Sequence, residues 1–134
     1  MDISEILTFT KEQGASDLHR SSGEPPVIRI HGDIQKVDMP ALSQEDVHQM
    51  LYDILNDQQL KTFERDKEID FALDLKGIAR YRINAFYQSK GEAIVCRTIP
   101  TKIMSLEELN LPSTLSDLTE KTKGLVLVTG PTGS

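Results

Sequence analysis

The sequence predicts an α+β fold, an antiparallel sheet with flanking helices, followed by the first strand of a second domain. Three observations carry this. Residues 69–99 read as three strands of alternating polarity separated by tight turns. Capped, amphipathic helix patterns precede them. Residues 125–128, Leu-Val-Leu-Val, are apolar throughout, the pattern of a strand buried on both faces of a parallel sheet.

Taken in order, residues 3–13 predict a helix with Ile3, Ile6, Leu7 and Thr10 on one face and Gly14 as its stop. Ser16-Asp17-Leu18-His19 opens a strand, and Pro25-Pro26 holds the following loop extended. Residues 27–31 and 34–37 predict a hairpin turning at Gly32-Asp33. Ser43 and Asp46 form a capping box ahead of an apolar stripe of Val47, Met50, Leu51, Ile54 and Leu55. Asn56 or Asp57 caps a second short helix bearing Leu60 and Phe63.

In 69–75 the odd positions are apolar and 70 and 74 are Asp. Lys76-Gly77 turns the chain into 79–87, and Ser89-Lys90-Gly91-Glu92 turns it again into 93–99. Ser105 with Glu108 predicts a capped helical turn, and 113–121 a weak helix with Leu115 and Leu118 inward. The boundaries read as a first domain over 1–110, a linker over 111–124, and the start of a second domain over 125–134.

Composition excludes several classes. A net charge of -6 argues against a broad nucleic-acid surface. No stretch approaches the ~18 apolar residues that span a bilayer. Acidic residues stand where a signal peptide would be basic, and a lone cysteine, Cys96, forms no internal disulfide, so a reducing cytoplasm is expected. Cys96 lies in an apolar run and reads as a core residue. His19, His31 and His48 lack metal-ligand spacing: His48 reads as packing or surface, His31 as exposed, His19 as hydrogen-bonded structure.

Two constellations carry chemistry. Gly130-Pro131-Thr132-Gly133-Ser134 follows the apolar run and matches the opening of a phosphate loop, whose backbone N–H groups wrap phosphate oxygens. As letters alone it is also a plain Gly/Pro/Thr tail. The Gly-Lys-Ser/Thr that would complete the loop falls beyond Ser134, so this chain by itself is expected not to hydrolyse ATP. The second constellation is Arg80, Arg82 and Arg97. A two-residue turn at Ser89-Lys90 sets Arg82 opposite Arg97; a four-residue loop sets Arg97 opposite Asn84; both leave the three arginines on one face, whereas a three-residue loop with a bulge at Gly91 shifts the alternation. An ion-pair ladder with Asp70 and Asp74 explains them from charge pattern. A bound phosphate is the sharper alternative.

The ordered blocks Gly14-Ala15-Ser16-Asp17-Leu18-His19, Pro25-Pro26 with Ile28-Arg29 and Gly32-Asp33, Ala79-Arg80-Tyr81-Arg82-Ile83-Asn84-Ala85-Phe86, Arg97-Thr98-Ile99-Pro100 and the run from Gly124 to Ser134 resemble the PilT family of type IV pilus retraction ATPases, in the secretion ATPase superfamily. The resemblance implies a PAS-like N-terminal domain followed by a RecA-like ATPase domain. It implies a cytoplasmic homohexamer, peripheral at the inner membrane, partnered by neighbouring subunits and by pilus-base proteins, with no nucleic acid. ATP and Mg2+ would bind the full-length protein, and neither is expected on this piece. By motif position Arg82 and Arg97, and less closely Arg80, would be arginine fingers, and the resemblance tips the arginine face toward phosphate. Arg20 departs from the pattern, where an apolar residue is expected. A stand-alone PAS-like adaptor that binds a protein or ligand is the competing reading; no Trp and 5% aromatic content speak against a ligand pocket.

Overall fold

Helix α1 (Ile3–Glu12) starts where the Asp2 N–H meets the Glu5 carboxylate at 3.2 Å, and it buries the expected Ile3, Ile6, Leu7 and Thr10. The computed structural model describes residues 2–131. Three strands follow, β1 (Asp17–Ser21), β2 (Val27–Ile30) and β3 (Asp33–Lys36). The hairpin between β2 and β3 turns at His31-Gly32, one residue earlier than the sequence suggested, because Ile30 pairs with Asp33. Both turn residues have positive φ, 49° and 87°, as a two-residue hairpin turn of the right twist requires.

Helix α2 (Gln44–Ile54) begins at a capping box in which Ser43 accepts from the Asp46 N–H at 3.0 Å and Asp46 accepts from the Ser43 N–H at 2.9 Å. Helix α3 (Asp57–Asp66) is capped by Asn56 and stopped by Lys67 in the left-handed region. The chain then runs back and forth through β4 (Glu68–Leu75), β5 (Ala79–Gln88) and β6 (Gly91–Ile99).

All six strands form one antiparallel sheet in the order β3-β2-β1-β6-β5-β4. Two three-stranded meanders are thus joined edge to edge by β1 and β6, and α2 and α3 carry the chain from one outer strand to the other. The fold class is the expected α+β one. Strand alternation gives the sheet two unlike faces. Leu18, Ile28, Ile69, Tyr81, Ile83, Ile94 and Cys96 lie on the face that packs with α1, Val47 and Leu51 of α2, and Phe63 of α3. The Tyr81 hydroxyl donates to the Leu7 carbonyl at 3.0 Å, tying the sheet to α1. Burial pushes the Cys96 thiol up to about 12, so it is a core residue as expected.

Two charged residues share this covered face. Glu92 is buried, and His48 meets both of its oxygens at 2.9 and 3.0 Å while stacking on Tyr52. Arg20 is buried too, and among the described residues its Nε and Nη1 have no hydrogen-bond partner. Burial draws its guanidinium down to about 10 against the attraction of Cys96 and Asp46.

The first compact unit closes at Pro100, and the second begins at Thr101. In the second unit, Ser105 and Glu108 exchange capping hydrogen bonds, at 2.9 and 3.2 Å, around the expected single helical turn, which the Leu109 N–H closes by donating to the Ser105 carbonyl at 3.1 Å. Helix α4 (Thr114–Thr119) lies within the stretch read as linker, and Leu115 and Leu118 are half-buried. Residues 125–128 do not form the expected strand. They carry no ladder and are 54–89% exposed.

An orphaned buried cation is a liability that a neutral side chain of similar length removes. Arg20→Met is expected to stabilise the first unit by roughly 1–2 kcal/mol, seen as a higher midpoint in urea unfolding with an unchanged slope.

Candidate arginine site on the open sheet face

The other face of the sheet carries the charge. The turn at Ser89-Lys90 is the two-residue one, because Gln88 pairs with Gly91. Gly91 has φ +121°, and a Cβ there would lie 2.9 Å from Gln44 Cγ and 3.0 Å from Ser22 Oγ, so this turn admits glycine alone. From that turn the register sets Arg82 directly opposite Arg97.

Following the register across the sheet gives the row Arg29 (β2), Asp17 (β1), Arg97 (β6), Arg82 (β5) and Ala72 (β4). The next row holds Val27, His19, Val95, Asn84 and Asp70. Like charges directly opposite destabilise a sheet unless anions intervene, and here carboxylates do. Arg82 grips Asp70 through Nε at 3.2 Å and Nη2 at 2.7 Å. Arg97 donates its Nε to Asp17 at 2.9 Å. The ladder read from sequence therefore exists for Asp70, while Arg97 has Asp17 as its partner. Arg80 faces Asp74 in register, yet it makes no ion pair among the described residues.

The two pairs differ in character. Side-chain exposure is 64% and 43% for Arg82 and Asp70, and 58% and 6% for Arg97 and Asp17. Asp17 also accepts from the Ser16 hydroxyl at 2.8 Å. Burial alone would raise its pKa, but the hydrogen bonds from Arg97 and Ser16 and the charges of Arg97 and Arg29 hold it below the usual carboxylate value. Hydrogen bonding by Arg82, outweighing slight burial, lowers Asp70 as well. His19 is half-buried beside Asp17, and among the described residues its ring makes no hydrogen bond, contrary to expectation. Burial, and the charges of Arg29 and Arg97 against that of Asp17, keep its pKa below the ordinary value, so it is neutral at pH 7.

Asp70, Arg82, Asn84, Val95 and Arg97 line an open hollow of about 270 Å³. Arg97 spends one nitrogen on Asp17 and keeps both terminal nitrogens for another acceptor. The place is therefore suited to a small polyanion. Gly130 and Pro131 lie in the second unit, outside regular structure; Thr132, Gly133 and Ser134 lie outside the described residues. Sequence reasoning missed Asp17 and Arg29 as members of the charged row. The alternation Asp17-Leu18-His19 already put Asp17 opposite the core; what it lacked was the strand that β1 pairs with.

Fold and sequence together are similar to the N-terminal part of pilus retraction ATPases. Over all 134 residues the chain is 49% identical to the type IV pilus retraction ATPase PilT of Pseudomonas aeruginosa, and it spans 39% of that protein. Over 109 residues it is 46% identical to a twitching motility protein of Neisseria gonorrhoeae, of which it covers 29%. The crystal structure of the pilus retraction motor PilT with bound ADP matches the whole chain at a TM-score of 0.77 and 37% identity, over 39% of its own length. No protein-family model matches the chain. The chain is thus homologous to PilT across its full length and has the fold of the PilT N-terminal domain. Among the described residues no helix is long and apolar enough to cross a membrane.

Asp17 gives a pH signature. Its folded pKa is depressed, so its contribution is fully present above the unfolded value near ~4 and is lost as pH falls through the folded value. Asp17→Ala is expected to cost about 1–3 kcal/mol at pH 7 and to flatten the loss of stability below about pH 4, measured by urea unfolding across pH.

Proposed function

We propose that this chain forms the N-terminal domain of a hexameric ATPase that powers type IV pilus retraction and twitching motility. Its open sheet face closes over nucleotide held at the P-loop between domains, and Arg82 and Arg97 contact the phosphates. Arg80, at the margin of the same face, has the lesser part. The observation that carries this is the direct opposition of Arg82 and Arg97 on an uncovered sheet face in a chain 49% identical to PilT.

ATP with Mg2+ supplies the phosphoanhydride that is cleaved. What this chain adds is charge and geometry. The two arginines leave the backbone about one strand spacing apart, ~5 Å, and each guanidinium is a fork-shaped donor to phosphate oxygens. Negative charge grows on the transferred phosphoryl group, and arginines fixed near it stabilise that charge. The ADP bound in the related PilT structure supports nucleotide as the ligand.

We read residues 125–128 as a segment that becomes the first strand of a RecA-like domain in the full-length protein, and the sequence Gly130 to Ser134 as the opening of its phosphate loop. The apolar, uncovered state of 125–128 supports this, for such a segment suits a sheet interior. The protein works in the cytoplasm at the inner-membrane pilus base, with neighbouring subunits and base proteins as partners. Homology over the whole chain to pilus ATPases supports the motor over an adaptor module.

In the full-length protein, Arg82→Ala and Arg97→Ala are each expected to lower ATP turnover by about 10³-fold or more while leaving hexamer assembly intact, measured by phosphate release and light scattering. Near-normal turnover in both variants would overturn the arginine assignment.

A further inference from the structure

Resting on the reading of this face as a phosphate site, we infer that its two carboxylates have opposite roles: Asp17 is a positioning residue that fixes Arg97 for the anion, and Asp70 is a competing ligand that parks Arg82.

The two contacts look alike and are built differently. Asp17 is almost wholly buried and anchored at both oxygens, Oδ2 by the Ser16 hydroxyl at 2.8 Å and Oδ1 by Arg97 Nε at 2.9 Å. Ser16 is itself held, its N–H donating to the Arg29 carbonyl at 2.8 Å and its carbonyl accepting from Thr98 N–H at 3.0 Å. The bond to Arg97 uses Nε, the nitrogen nearest the chain, and so orients the guanidinium without occupying its two ends. An anion can add to Arg97 with Asp17 still in place.

Asp70 sits the other way round. It is 43% exposed on outer strand β4, and among the described residues Arg82 is its hydrogen-bonding partner. It takes Nε and Nη2 together, the same fork that grips one edge of a phosphate. A phosphate can take that side fork only by displacing Asp70; with Asp70 in place it is left the end fork of Nη1 and Nη2, next to a carboxylate that repels it. Exposed pairs of this kind are weak, so the exchange is easy, and it leaves Arg82 engaged with a carboxylate whenever no anion is there.

Plain electrostatics gives a different result, because removing either carboxylate beside a cationic hollow should tighten anion binding. The test is a titration of the 134-residue chain with inorganic tripolyphosphate, followed through the arginine Nε–Hε NMR signals. Asp70→Asn is expected to tighten binding at Arg82 by about two- to fivefold. Asp17→Ala is expected to weaken it by roughly threefold or more, the lost charge-assisted anchor outweighing the lost repulsion, and to collapse the distinct Nε–Hε signal of Arg97 toward that of free arginine. Asp17→Asn, which keeps the shape and one acceptor, should lie between Asp17→Ala and the parent, and it serves if the alanine variant does not fold. Tightening in both Asp17 and Asp70 variants would overturn the inference and leave the phosphate reading standing. No response of the Arg82 and Arg97 signals in the parent chain would overturn both.

Discussion

The pairing of β1 with β6 makes one sheet out of two meanders, and it does so between residues as far apart as Asp17 and Arg97, separated by 80 positions. Each meander alone is a small ribbon with two open edges. Joined, they form a surface wide enough to carry α1, α2 and α3 on one side and a charged row on the other. The same seam places a buried carboxylate beside an arginine that would otherwise face only Arg82. Packing and site chemistry thus meet at a single strand interface.

The two faces handle charge in opposite ways. On the covered face a charge must be matched on the spot: Glu92 is held by His48, and the Tyr87 hydroxyl, pushed up to about 12 by burial and by this carboxylate, adds to the same cluster. Arg20 breaks that rule, with two nitrogens left without partners where a plain hydrocarbon would pack. On the open face, water screens the arginines, so incomplete pairing is tolerated and terminal nitrogens remain for a ligand. A lone charge is a defect on one side of this sheet and is tolerated on the other.

Local signals in the sequence were legible and long-range ones were not. The caps at Ser43 and Asn56 and the alternation through 69–99 depend on neighbours within a few residues, and they appear as read. Sequence leaves the length of the turn at Ser89-Lys90 open, and with it whether Arg97 faces Arg82 or Asn84; the pairing of Gln88 with Gly91 decides both. The β2–β3 turn slipped by one because Gly32 suits a hairpin equally well with His31 or Asp33 beside it, and the choice fell to cross-strand pairing. Asp17 as the partner of Arg97 was hidden for a stronger reason, since nothing near residue 17 names β6. The apolar run 125–128 carries the composition of a strand, but a strand exists only with its neighbours.

The turn between β5 and β6 also fixes how this surface can change over time. An arginine can be exchanged one residue at a time, each step altering a single charge. The length of the turn allows no such gradual path. One extra residue there would rotate the whole of β6 by one position, sending Arg97 toward the helices and Cys96 or Ile94 into water. Gly91, wedged against Gln44 and Ser22, bars most substitutions that would accompany such a change. The hairpin therefore behaves as a ruler: side chains along it are free to drift, while its spacing must be inherited whole.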